Sequence, residues 1–155
     1  MQSYWSGQMG YAIAEGAVKS GVIKGSTVIA GDPFRLESKR QKWEALGITC
    51  SRDNAKVAAS CKMLILSVKP QLLGDVASVL SHLSCEQTVV SVVAGASIQS
   101  LSEMCGKANV VRVMLNTACL IGAGAVSVCP KEGTPEQITA QVEEVFKATS
   151  GCMIR

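Results

Sequence analysis

Gly7-Gln8-Met9-Gly10 opens a helix-patterned run from Met9 to Ser20. Glycines at this spacing at a helix start can do one kind of chemistry well, which is to hold a phosphate. The first lets backbone approach the anion, and the second lets the helix pack closely on a sheet. The helix N-terminus adds unpaired N–H groups and a partial positive charge. A second set of candidates lies near residue 32. Asp32 follows a short apolar run, where an acid can hold a ribose 2′-hydroxyl. Arg35 and Lys39, four apart on the helix expected next, could instead hold a 2′-phosphate. The alternative for all three is a solvated helix face.

Other chemistry finds little support. Seven cysteines stand without a C-x-x-C pair, and His82 is the single histidine, so no metal site is expected. Buried thiols in a reducing cytoplasm account for the cysteines. Cys119 near Thr117 is a candidate reactive thiol, with a buried spectator as the alternative. Lys69 before Pro70 invites an acid role, but lysine needs burial to titrate near neutrality. Arg112 interrupts an apolar run, so its charge must find a partner or the surface. The net charge of +3 and 4% aromatic content do not describe a nucleic-acid groove. No apolar run is long enough to span a membrane, and no signal peptide is visible.

The elements that must position these residues follow from apolar periodicity. At 155 residues and 48% hydrophobic, the chain is expected to form one domain with a buried core. The first helix shows Met9, Ala12, Ile13, Gly16 and Ala17 on one face, with Gly21 as its stop. Thr27–Ala30 reads as a strand. A helix from Pro33 to Leu46 follows, then a strand at Ile48–Cys50. Asp53 or Asn54 can cap a short helix through Ser60. Met63–Val68 and Thr88–Val93 read as strands buried on both faces. A helix is expected from Gln71 to about Leu83, and another capped by Ser97 and ending before Gly106, with strands at Val110–Met114 and Ala125–Cys129. Thr134, Pro135 and Gln137 suggest a capping box for a last helix ended by Gly151. Cys152–Ile154 can start a final strand.

This alternation predicts an α/β, Rossmann-like fold: a mostly parallel sheet with helices on both faces. Its first strand reads as degraded, because only Met1–Trp5 precede the glycine turn and Trp5 stands where a first glycine is expected. Ligands in such sheets bind at the carboxyl ends of the strands.

The loops at those ends resemble pyrroline-5-carboxylate reductases. The strings are GQMGYAIAEG (7–16), SVKPQLL (67–73), VVSVVAGASIQSL (89–101), VVRVMLNT (110–117) and GAGAVSVCP (122–130). The resemblance runs from Gly7 to the chain end and implies an NADP-binding domain, with NAD as the alternative. It implies that Gly7, Gln8, Met9 and Gly10 meet the pyrophosphate, and that Val68, Lys69 and Pro70 line the nicotinamide ribose. Ala94 and Gly95 would approach the nicotinamide, Asn116 and Thr117 would close the cleft, and Asn54 would meet the adenosine half. The implied substrate is a small imino acid, reduced to proline. Leu115 and Ala118 replace the family's prolines. The family's helical second domain is not expected in this chain, so an oligomer is expected only with a full-length relative. A catalytically impaired dinucleotide-binding fragment is the alternative reading.

Overall fold

The computed structural model describes residues 7–32 and 39–155. The shortened first strand, the Pro33 helix start and Arg35 all lie outside the described residues. Thirteen elements matter here: α1 (Gly7–Lys19), β1 (Ile29–Gly31), α2 (Arg40–Glu44), β2 (Thr49–Ser51), α3 (Asn54–Ser60), β3 (Met63–Leu66), α4 (Leu73–Leu80), β4 (Thr88–Ser91), α5 (Ile98–Met104), β5 (Asn109–Leu115), β6 (Gly124–Pro130), α6 (Glu136–Lys147) and β7 (Ser150–Ile154).

Strands β3, β4, β5, β6 and β7 lie side by side in that order, and β1 pairs with β2 in a separate two-stranded sheet. Every ladder is parallel except β5–β6. That reversal has a local cause. The stretch between β5 and β6 is a short 3₁₀ turn, Thr117–Ile121, rather than a crossover helix, and a parallel return needs the longer connection.

Alternating side chains send the five-stranded sheet into two cores. Met63, Ile65, Val90, Val111, Val113, Val126 and Val128 face one side, with Ile13, Ala14 and Ala17 of α1 and Val142, Val145 and Phe146 of α6. Leu64, Leu66, Val89 and Val110 face the other, against Val57 of α3, Val76 and Leu80 of α4, and Leu101 of α5. The result is a three-layer α/β/α arrangement, with helices on both faces as the sequence predicts. Val28, Ala30, Trp43 and Ile48 join the first core, so β1 and β2 share it with the larger sheet.

Three helix ends differ from expectation. Thr134 does not cap α6: Pro135 is the N-cap, in extended backbone with ψ 137°, and no side chain caps the helix. A residue at ψ 137° starts the helix one position later, which leaves Thr134 too far from the first free N–H groups. Gly151 does not end α6 either; it lies within β7, and the helix closes at Ala148. Finally, α4 stops at Leu80. Ser81 Oγ donates to Ser78 O at 2.9 Å, and His82 Nδ1 lies 2.7 Å from the same carbonyl. Side-chain bonds of this kind compete with the helix ladder. Asp53 and Ser97 do cap α3 and α5, accepting from Lys56 N and Ser100 N at 3.0 Å each.

Candidate functional site: a cleft at the carboxyl edge of the sheet

Gly7 begins α1 with φ +79°, in left-handed backbone that glycine reaches without strain. The first N–H groups of α1 have no partner further back within the helix. The first turn carries no acidic residue, so the positive end of the helix is not neutralised from within. Gly10 follows, buried on the inner side with Ile13, Ala14 and Ala17. The closest helix approach lies further along, at Gly16. A Cβ there would sit 2.5 Å from Thr149 Cγ2 and 3.4 Å from Ala148 O, against the turn that follows α6. Glycine at that position is what lets α1 lie against α6.

The facing wall comes from the ends of β3 and β4, whose parallel register places both carboxyl ends at one edge. Past β3, Val68 is buried while Lys69 and Pro70 are exposed. Lys69 is extended, φ −64° and ψ 143°, as a residue before proline must be. Past β4, the fully buried Ser91 accepts from Val93 N at 3.3 Å through its Oγ. That bond turns the chain and leaves Ala94 and Gly95 exposed at the edge.

These walls enclose a cleft of about 450 Å³, lined by Gly7, Gln8, Met9, Lys39, Ser67, Val68, Lys69, Pro70, Val92 and Ala94. Eight of the expected site residues meet here, Lys39 among them, and Gly95 stands next to the cleft in the chain. The others lie around it. Asp32 directly follows β1, its N–H donating to Ser51 O at 3.3 Å. Asn54 begins α3 and lines a small apolar cavity with Leu64, Leu66 and Val76. Its Oδ1 is buried with no hydrogen-bond partner. Asn116 and Thr117 are exposed past the end of β5, and Asn116 Oδ1 accepts from Ala125 N at 3.2 Å. The 3₁₀ turn that follows packs on α1 and brings Leu120 to a second cleft beside Gly7 and Gln8.

Ser67 and Val92 were not singled out from sequence. Each lies near the end of an apolar run, Met63–Val68 or Thr88–Val93, and directly follows the observed strand β3 or β4; that position was the available signal. Lys39 was expected on a helix face with Arg35; it is the N-cap of α2, in 3₁₀ backbone that runs into the helix, and Arg35 lies outside the described residues. Cys119 is buried in the Thr117–Ile121 turn, and burial pushes its thiol up from the ordinary range, partly offset by its bond to the Asn116 backbone. Burial thus disfavours the thiolate that a nucleophile needs. His82 is exposed just after α4 and lines neither cleft. Among the described residues no three His, Cys, Asp or Glu side chains gather as metal ligands, and no helix is long and apolar enough to cross a membrane.

A glycine turn at a helix start, facing two parallel strand ends, is the arrangement that accepts a dinucleotide pyrophosphate. The family model described as NADP oxidoreductase, coenzyme F420-dependent, matches residues 6–95. The chain belongs to this family. Within it, the similarity is to the N-terminal portion of pyrroline-5-carboxylate reductases. The enzyme of Methanosarcina acetivorans is 34% identical over 148 residues, covering 92% of this chain and 53% of that protein. The enzyme of Glycine max is 38% identical over 121 residues, covering 77% and 44%. The chain thus spans about half the length of the curated relatives it matches. Among solved structures, the Plasmodium falciparum pyrroline carboxylate reductase with NADP bound superposes with a TM-score of 0.83 at 24% identity, over 99% of this chain and 57% of that one. The Coxiella burnetii pyrroline-5-carboxylate reductase gives 0.85 at 21% identity, over 99% and 57%. At these identities the structures establish the Rossmann-like fold.

Proposed function

We propose that this chain is the NADP(H)-binding part of a pyrroline-5-carboxylate reductase, serving reduction of the imine C=N bond of 1-pyrroline-5-carboxylate to proline. The observation that carries the reading is the single cleft joining the Gly7–Met9 turn, the Val68–Pro70 wall and Ala94. NADPH supplies the hydride when bound. The chain's own residues hold and orient it. The N–H groups of the Gly7–Gly10 turn face the pyrophosphate. Val68, Lys69 and Pro70 lie along the nicotinamide ribose, with Ala94 and Gly95 beside the ring. Asp32 and Asn54 are assigned to the adenosine end, beside the ends of β1 and β2. Asn116 accepts from Ala125 through its oxygen, so its Nδ2 is the group left to donate to the cofactor.

A reducing compartment, the cytoplasm, suits a chain with seven cysteines and no disulfide among the described residues. A second reading, a dinucleotide-binding module without turnover, draws on the lining of the cleft. Its described titratable groups are two lysines, which bind an anion without supplying an imino-acid pocket.

Calorimetric titration of the chain with NADPH and NADH tests the binding. Saturable micromolar binding is expected for NADPH, and no binding of either nucleotide would overturn the reading. Consumption of NADPH on adding 1-pyrroline-5-carboxylate then separates reductase from module.

A further inference from the structure

Lys39 stands where two clefts meet. The first is the cleft of about 450 Å³ described above, and the second, about 330 Å³, lies on the other side of the glycine turn. Gly7, Gln8 and Lys39 are the residues common to both. The lysine is therefore beside the turn itself, where α1 begins, and is not confined to the adenosine end marked by Asp32 and Asn54. Its charge is uncommitted, since no ion pair holds Lys39 among the described residues. The larger cleft has no carboxylate among its described lining residues, and Lys69 is its other cation. In the smaller one the carboxylate is Glu15, which is already engaged with Lys19 at 2.8 Å and with Tyr11. Among the described residues, the positive end of α1, Lys39 and Lys69 thus line one edge, and no uncommitted carboxylate lines either cleft. Such a surface calls for an anion of more than one charge.

We infer that Lys39 binds the pyrophosphate of the dinucleotide, opposite the N–H groups of the Gly7–Gly10 turn, and does not read the 2′-phosphate that distinguishes NADP from NAD. The inference rests on the NADP(H) reading proposed above. An ammonium on a flexible four-carbon stem suits this task, because a pyrophosphate presents several equivalent oxygens and demands no fork geometry. Charge-assisted hydrogen bonds to phosphate are the stronger kind.

The two roles separate cleanly, because NADPH and NADH share the pyrophosphate and differ only at the 2′ position. The experiment is calorimetric titration of the wild-type chain, Lys39→Gln and Lys39→Arg with both nucleotides, alongside thermal unfolding of each variant. Lys39→Gln is expected to weaken NADPH and NADH by the same factor, about tenfold. Lys39→Arg keeps the charge and is expected to restore most of the affinity for both. Loss confined to NADPH would overturn the inference and return Lys39 to the 2′-phosphate. Unchanged affinity for both nucleotides would also overturn it, while leaving the cofactor reading intact. Wild-type chain that binds neither nucleotide would overturn both. If Lys39→Gln lowers the unfolding midpoint, Lys39→Met replaces it in the same titration and is read the same way.

Discussion

Strands β3 and β4 bury every side chain, and β4 has ladders on both sides. Strands β1 and β2 are three residues each, half-exposed in part, and pair only with each other among the described residues. A two-stranded sheet of this length is not stable in water by its ladder alone. What holds it is side-chain burial. Val28, Ala30 and Ile48 sit in the same core as Ile65, Val90 and Phe146, and Trp43 is 3% exposed there, edge-on to Tyr11 at 5.2 Å. The larger sheet is held by backbone and packing together, the smaller by packing. The cleft lies where the two regions meet, with Lys39 on one side and the ends of β3 and β4 on the other.

The largest effects should come from breaking that shared core. Phe146→Ala on α6 and Trp43→Ala on α2 remove fully buried aromatic rings, and each is expected to cost about 3–5 kcal/mol. Denaturant unfolding followed by far-UV circular dichroism measures both. If the two sheets share one core, each variant moves a single common transition to lower denaturant. A Trp43→Ala chain whose main transition stays put, with a separate early loss of signal, would show that β1 and β2 fold as an appendage.

The second core offers a gentler test. Cys61 and Cys105 are buried among α3, α4 and α5, and burial pushes each thiol from 9.0 up to about 11. A raised acid constant means the folded chain holds these protons more tightly than the unfolded chain. The resulting stability is fully present below the unfolded value and is lost as pH rises through the folded value. Unfolding free energy should therefore fall between about pH 9 and pH 11, by roughly 2–3 kcal/mol per thiol at the upper limit. The double variant Cys61→Ala, Cys105→Ala should start less stable and lose less over the same interval. An equal slope in wild type and double variant would assign the alkaline loss to other groups. In native chain the exposed Cys85 and Cys152 should react with a thiol reagent while Cys61 and Cys105 stay protected.

The difference between the regions also explains what could be read from sequence. The runs Met63–Val68 and Thr88–Val93 are continuous and apolar, and Asp53 and Ser97 carry their own capping oxygens. Each of those expectations depends on a few neighbouring residues. The glycine turn is legible for the same reason, since positive φ at Gly7 is a local demand. What was not legible depends on distant partners. Lys39 reaches the turn through the placement of α2 against α1, which no spacing in the chain encodes. The antiparallel return of β6 is set by a turn whose sequence, Thr117–Ile121, resembles an ordinary loop. The orphaned oxygen of Asn54 depends on the apolar walls of α4 and β3. At the end of α6, local signals pointed the wrong way: Thr134, Pro135 and Gln137 have the composition of a capping box. The extended backbone at Pro135 decides the helix start instead.

The smallest effect on stability should have the largest consequence for binding. Gly7→Ala forces an L residue into φ +79°, a cost of about 1–2 kcal/mol. Space is not the obstacle, since a Cβ there would lie 3.8 Å from Ser67 O, an ordinary contact. The chain should therefore stay folded, with an unfolding midpoint lowered by only a few degrees. If the turn relaxes to negative φ to escape the strain, the first N–H groups of α1 swing away from the cleft, and affinity for NADPH and NADH should drop together. Calorimetric titration beside thermal unfolding reads both quantities on one preparation. An alanine variant that is less stable yet binds both nucleotides like wild type would mean that the turn shapes the meeting of α1 with β3 and does not cradle the phosphates. The anion would then have to be held by Lys39, Lys69 and the strand ends alone.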